Sequence, residues 1–128
     1  MKDLADRVAV VTGGASGIGR ALCLAFAGAG MHVAVADLDE AGMAETAAGV
    51  GKKGRRAITV RTDVSRLADV RALADRAWQD LGGVHVLCNN AGIALWGSLD
   101  GATHADWEWA IGVNLWGVIH CVEAFVPR

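Results

Sequence analysis

The run Thr12-Gly13-Gly14-Ala15-Ser16-Gly17-Ile18-Gly19 constrains this chain most, because of what flanks it. A short apolar stretch, residues 8–11, precedes it, and Arg20-Ala21-Leu22-Cys23-Leu24-Ala25-Phe26, with helical spacing, follows. A strand, a glycine turn and a helix start are the arrangement in which backbone can cradle a pyrophosphate. Gly17 and Gly19 lack a Cβ, so main chain and ligand can approach closely. The opening helix offers unpaired N–H groups and the positive end of its dipole to anionic oxygens. The same residues fail as a nucleoside-triphosphate loop: Gly14 and Gly19 have the spacing, but Arg20-Ala21 stands where Lys and Ser or Thr would reach phosphate and Mg²⁺.

The pattern of the turn continues along the chain. Apolar, strand-like runs at 8–12, 32–36, 57–62 and 84–88 alternate with helical patterns. The first helix carries Ile18, Leu22, Ala25, Phe26 and Ala29. The second is Ala-rich around Met43 and Ala47, and the third repeats Leu67, Val70, Ala74, Ala77 and Leu81 after a cap at Ser65. A fourth helix is expected to open near Thr103, paired with Asp106 as a cap, and to carry Trp107, Ile111, Leu115, Val118, Val122 and Phe125 on one face. Strands alternating with helices imply right-handed crossovers and a parallel sheet covered on both faces, so the fold class is α/β. With 128 residues, 53% hydrophobic content and no visible linker or repeat, residues 1–128 are expected to fold as one domain.

Charge and cysteine usage narrow the partners. The net charge is −2, and only Lys52-Lys53 and Arg55-Arg56 cluster, so there is no electrostatic footprint for nucleic acid. Cys23, Cys88 and Cys121 are odd in number and lie among apolar neighbours, which suits buried free thiols in a reducing compartment. The first residues do not read as a signal peptide, and no apolar run approaches membrane-spanning length. A cytoplasmic protein without membrane partners is the expectation. His32, His85, His104 and His120 show no metal-ligand spacing and are read as structural or surface residues.

Asp37 ends the second strand about 20 residues after the glycine turn, where a carboxylate can accept hydrogen bonds from the hydroxyls of an adenosine ribose. It would repel a 2′-phosphate, and neither Ser16 nor Leu38 supplies a cation to offset that. NAD is therefore expected over NADP. Read alone, Asp37 could also be an exposed residue starting a helix with Asp39 and Glu40.

With these residues in view, the chain resembles the classical short-chain dehydrogenases/reductases. Thr12-Gly13-x-x-x-Gly17-Ile18-Gly19 is similar to their cofactor turn and Asp37 to their NAD-selecting position. Asp63-Val64 is similar to the pair that contacts adenine, and Asn89-Asn90-Ala91-Gly92 to the Asn-Asn-Ala-Gly signature after the fourth strand. The resemblance implies a Rossmann-type sheet, with Thr12, Gly13, Ser16, Gly17, Ile18, Gly19, Asp37, Leu38, Asp63, Val64, Asn90, Ala91 and Gly92 as the cofactor site. It implies that Asn114 is the catalytic asparagine, which helps to hold a water chain to an active-site lysine. By chemistry alone, Asp63-Val64 could be a strand end before a cap, and Asn114 a core amide holding a backbone bend.

Trp96, Trp107, Trp109 and Trp116 cluster after the fourth strand. Core packing or a subunit contact is the reading for most of them, whereas Trp96, just past Gly92, could rim the cofactor crevice. In the family this long helix, residues 107–125 here, commonly packs against its twin, so a homo-oligomer is expected. The family's activity is hydride transfer between nicotinamide and an alcohol or ketone, through a Tyr-x-x-x-Lys pair and a serine beyond a fifth strand. This chain contains no tyrosine and stops before that strand, so alone it is expected to be inactive. Two readings stand: the cofactor half of a dehydrogenase truncated after the fourth strand and its following helix, or a short protein that binds dinucleotide or partners without turnover.

Overall fold

The computed structural model describes residues 3–128. Strands β1 (Val8–Thr12), β2 (His32–Asp37), β3 (Ala57–Arg61) and β4 (Val86–Cys88) form one parallel sheet in the order β3-β2-β1-β4. Helices α1 (Gly17–Gly28), α2 (Glu40–Lys52) and α3 (Leu67–Leu81) make the crossovers. A 3₁₀ turn (Leu99–Gly101) leads into α4 (His104–Ile111), a π-helical segment (Gly112–Trp116) and α5 (Gly117–Phe125). The strand runs and the Rossmann-type α/β fold read from the sequence are all present.

Strand periodicity divides the core. Val11, Val33 and Val35 face one cluster with Cys23, Ala27, Met43 and Val50 of α1 and α2. Val8, Val10, Ala34 and Ala36 face the other, with Val70, Leu73, Ala77, Cys121 and Phe125 of α3 and α5. Residues that alternate in sequence thus point to opposite layers, and β1 is buried throughout because both layers cover it. The chain runs outward from β1 through β2 to β3, then crosses back to pair β4 on the other side of β1. That reversal opens a crevice at the carboxyl ends of β1 and β4.

The helix faces differ from those expected. On α1 the buried residues are Gly19, Cys23 and Ala27; Ile18 is 75% exposed, and Ala25 and Ala29 face out. Close approach explains this: a Cβ on Gly14 would lie 2.7 Å from Val35 Cγ1 and 3.3 Å from Cys23 Sγ, so only small side chains fit beneath the helix. The long last helix is not continuous, because the π segment shifts its phase. Its buried residues are Gly117, Cys121, Ala124 and Phe125, whereas Trp107, Ile111, Leu115, Val118 and Val122 of the expected face are exposed.

Ser65 does not cap α3. Its hydroxyl donates to Asp63 Oδ1 at 2.6 Å, and Arg66 takes the cap position with no side-chain bond. Thr103 and Asp106 do form a capping box on α4. Burial pushes the thiols of Cys23 and Cys121 up to about 12 and about 11; Cys88, also free, is only half-buried.

Candidate functional site

A cavity of about 490 Å³ lies at the carboxyl ends of the strands. Every segment that leaves the sheet contributes to it. Gly13, Ser16, Gly17, Ile18 and Gly19 come from the turn after β1, and Asp37 and Leu38 from the end of β2. Thr62, Asp63, Val64 and Ser65 follow β3; Asn90, Ala91, Gly92 and Ile93 follow β4. Trp109 and Val113, from α4 and the π segment, complete the wall. Of the residues expected at the site, Thr12 and Asn114 alone do not line it.

Thr12 is 1% exposed and works from beneath. Its hydroxyl donates to the Cys88 carbonyl at 3.3 Å and accepts from the Asn90 and Ala91 amides at 3.1 Å each. Asn90 returns the contact, its Nδ2 donating to the carbonyls of Thr12 at 3.0 Å and Gly13 at 3.2 Å. These bonds fix the two lips of the crevice against each other.

The glycines of the turn divide their work. Gly17, on the cavity wall, has φ +54°, and a side chain there would meet no protein atom within 4 Å. Gly19 serves packing instead: its Cβ would overlap the Gly13 carbonyl oxygen and lie 2.7 Å from Asn90 Nδ2. Intrahelical bonding begins with the Arg20 amide donating to the Ser16 carbonyl at 3.1 Å, and the Ser16 side chain caps nothing. The first-turn amides thus remain available to an anion in the cavity. The Arg20 guanidinium is committed elsewhere, donating to the carbonyls of Ala15 and Gly42 and pairing with Glu45 at 3.0 Å.

Asp37 is held rigidly. Its Oδ2 accepts from the Ala15 amide at 3.0 Å, and Oδ1 accepts from Leu38 at 2.7 Å and Asp39 at 3.1 Å. A carboxylate has about four acceptor positions, so capacity for a further donor remains. Asn114 is exposed rather than a core amide: Oδ1 accepts from the Ile93 amide at 2.8 Å and Nδ2 donates to the Ile93 carbonyl at 2.9 Å. It thereby pins the chain just past Gly92 from within the π segment.

Sequence reading missed Thr62, Ser65, Ile93, Trp109 and Val113. The available signal was the i, i+4 spacing of Trp109 and Val113 just ahead of Asn114. Trp96, 93% exposed, lies not on this crevice but on a separate cavity with Leu95, Leu99 and Trp107. Of the histidines, His85 accepts from the Val8 amide and His32 from the Arg56 amide, His120 bonds the Val64 carbonyl, and His104 faces Glu108 on the surface. Among the described residues, no helix is long and apolar enough to cross a membrane.

Known proteins share this fold. A crystal structure of a short chain dehydrogenase/reductase from Burkholderia phymatum in complex with NAD matches with a TM-score of 0.95 and 45% identity, over 99% of this chain and 45% of that one. A short-chain type dehydrogenase/reductase from Mycobacterium marinum matches with a TM-score of 0.91 and 30% identity, over 95% of this chain and 49% of that one. The CLA biosynthesis dehydrogenase/reductase of Lactiplantibacillus plantarum is 33% identical over 99% of this chain and 44% of its own length. The chain thus spans about half the length of the relatives it matches. The sequence profile described as short chain dehydrogenase matches residues 7–128, and by that match and this fold the chain belongs to the short-chain dehydrogenase/reductase family.

Proposed function

We propose that this chain forms the NAD-binding half of an oxidoreductase that transfers hydride between nicotinamide and an alcohol or ketone. The observation that carries the reading is Gly17, left-handed and open on its Cβ side, on the same cavity as a carboxylate locked by three amides. The residues fit the cofactor. Thr12 and Asn90 hold the crevice open, and the amides from Gly17 to Gly19, with the α1 dipole behind them, bind the diphosphate. Asp37 accepts from the ribose hydroxyls. Because its backbone bonds keep it from swinging aside, it also repels a 2′-phosphate, which favours NAD over NADP. Leu38, Asp63 and Val64 receive the adenine; small Ala91 and Gly92 leave room for a flat ring against the backbone. Asn114 positions Ile93 at the catalytic end. When bound, NAD supplies the hydride acceptor, and NADH the donor.

Calorimetry with NADH and NADPH tests the reading. Tighter binding of NADPH overturns the cofactor assignment, and unchanged NADH affinity in Gly17→Val overturns the cradle. Across a panel of secondary alcohols the 128-residue chain is expected to form no NADH, since general acid/base catalysis needs a group it does not carry. The exposed apolar side of the last helix, with Trp107, Leu115 and Trp116, suits contact with a second copy, which sedimentation analysis would reveal.

A further inference from the structure

The indole of Trp109 stays half-exposed at the point where the rest of its helix docks closely. A Cβ on Gly112 would lie 3.6 Å from Ser65 Cβ, and one on Gly117 would lie 2.7 Å from Val64 Cγ2, so the π segment and α5 press against the loop between β3 and α3. One turn before Val113, on the same side of the helix, Trp109 shares the cavity wall with Val64 and Ser65. Yet it remains 53% exposed, and the close aromatic pairs of the fold are Trp78 with Phe125 and Trp116 with His120. Leu38, on the same cavity, is 52% exposed. With Ile18, also exposed on that cavity beside the anion cradle, these side chains present apolar surface to a ligand that joins a flat apolar group to phosphate.

We propose that Trp109 forms a wall of the slot that receives the adenine base, and so sets the affinity of the adenosine half of the dinucleotide. The inference rests on the dinucleotide reading above and adds a residue to it. An indole rewards contact with another π face through dispersion and quadrupole terms, whatever lies at the nicotinamide end.

Calorimetry with ADP, which carries adenosine and diphosphate without nicotinamide, tests it against nicotinamide mononucleotide. Trp109→Ala is expected to weaken ADP roughly tenfold and leave the mononucleotide unchanged. Trp109→Phe keeps most of the ADP affinity but loses the quenching of tryptophan emission that ADP causes in the wild type. Trp107→Ala, on the same helix but facing the other cavity, leaves ADP binding unchanged. ADP affinity within twofold of wild type in Trp109→Ala, or an equal loss in Trp107→Ala, overturns this inference while ADP binding itself stands. A wild-type chain that takes up neither ADP nor NADH overturns the dinucleotide reading and this inference with it.

Discussion

Helix α3 and the helix formed by α4, the π segment and α5 pack side by side, with Trp78 and Phe125 ring centroids 5.8 Å apart, yet they treat water in opposite ways. α3 buries Val70, Leu73, Ala74, Ala77 and Leu81 and turns Arg71, Asp75, Arg76 and Asp80 outward. Its neighbour buries Gly117, Cys121, Ala124 and Phe125 and turns Trp107, Ile111, Leu115 and Trp116 outward. The first obeys the simple rule of one apolar stripe facing the core. The second has two apolar faces and buries Gly117, Cys121 and Ala124 together with Phe125 while its other large side chains stay outside. Apolar bulk therefore does not say which side of a helix meets the core; the closeness of the docked neighbour does.

The largest effect that separates the two is a truncation on each. Leu73→Ala is expected to cost about 3 kcal/mol in urea unfolding, through lost burial and a residual cavity. Leu115→Ala, at a residue 54% exposed, is expected to cost less than about 0.5 kcal/mol at low protein concentration. Equal losses would break the comparison. A Leu115→Ala cost that grows with protein concentration would instead show a second copy covering that face.

A smaller contrast lies at the helix starts. Thr103→Ala removes the capping box of α4 and is expected to cost about 1 kcal/mol. Arg66→Ser offers α3 the side-chain cap it lacks and is expected to add about 0.5 kcal/mol in the same assay.

The smallest effect is in acid. Hydrogen bonds from the Thr103 backbone amide, and then its hydroxyl, hold the Asp106 carboxyl below the ordinary aspartate value of 3.8. A carboxylate with a depressed folded pKa contributes stability that is fully present above the unfolded value and lost as pH falls through the lower, folded one. Amide exchange in the first turn of α4 is therefore expected to accelerate below about pH 3.8 relative to the body of the helix. Asp106→Asn, which removes the titrating carboxyl, should abolish that step, and an unchanged profile in the variant would remove Asp106 as its cause.

The legible parts of the molecule were those set by backbone chemistry. The strands, the glycine turn, Asp37 at the end of β2 and the Thr103 box each follow from local residue types, and the parallel sheet follows from their order. Side-chain direction was less legible. Ile18 and Trp107 belong to apolar stripes that close packing elsewhere leaves outside, and Gly19 looks identical in sequence to Gly17 although one closes the turn and the other opens the cradle. Ser65 bonds Asp63 rather than capping a helix because that carboxylate lies two residues away. Trp109 reaches the cavity on the same side as Val113, a side that the single apolar stripe expected from Trp107 to Phe125 left out.

The break at the π segment locks two rotational settings together. The coil upstream of it keeps Trp109 on the cavity, the break itself keeps Asn114 on Ile93, and the coil downstream keeps Cys121 and Phe125 in the interior. Deleting one residue between 112 and 116 and rewinding the stretch as ordinary α-helix turns it through nearly the same angle, because about 3.6 residues then complete a turn that the wider coil spreads over more. The clamp on Ile93 and the anchorage at Phe125 would both survive, whereas the same deletion in the regular turns on either side would swing one half by about 100° and break one of them.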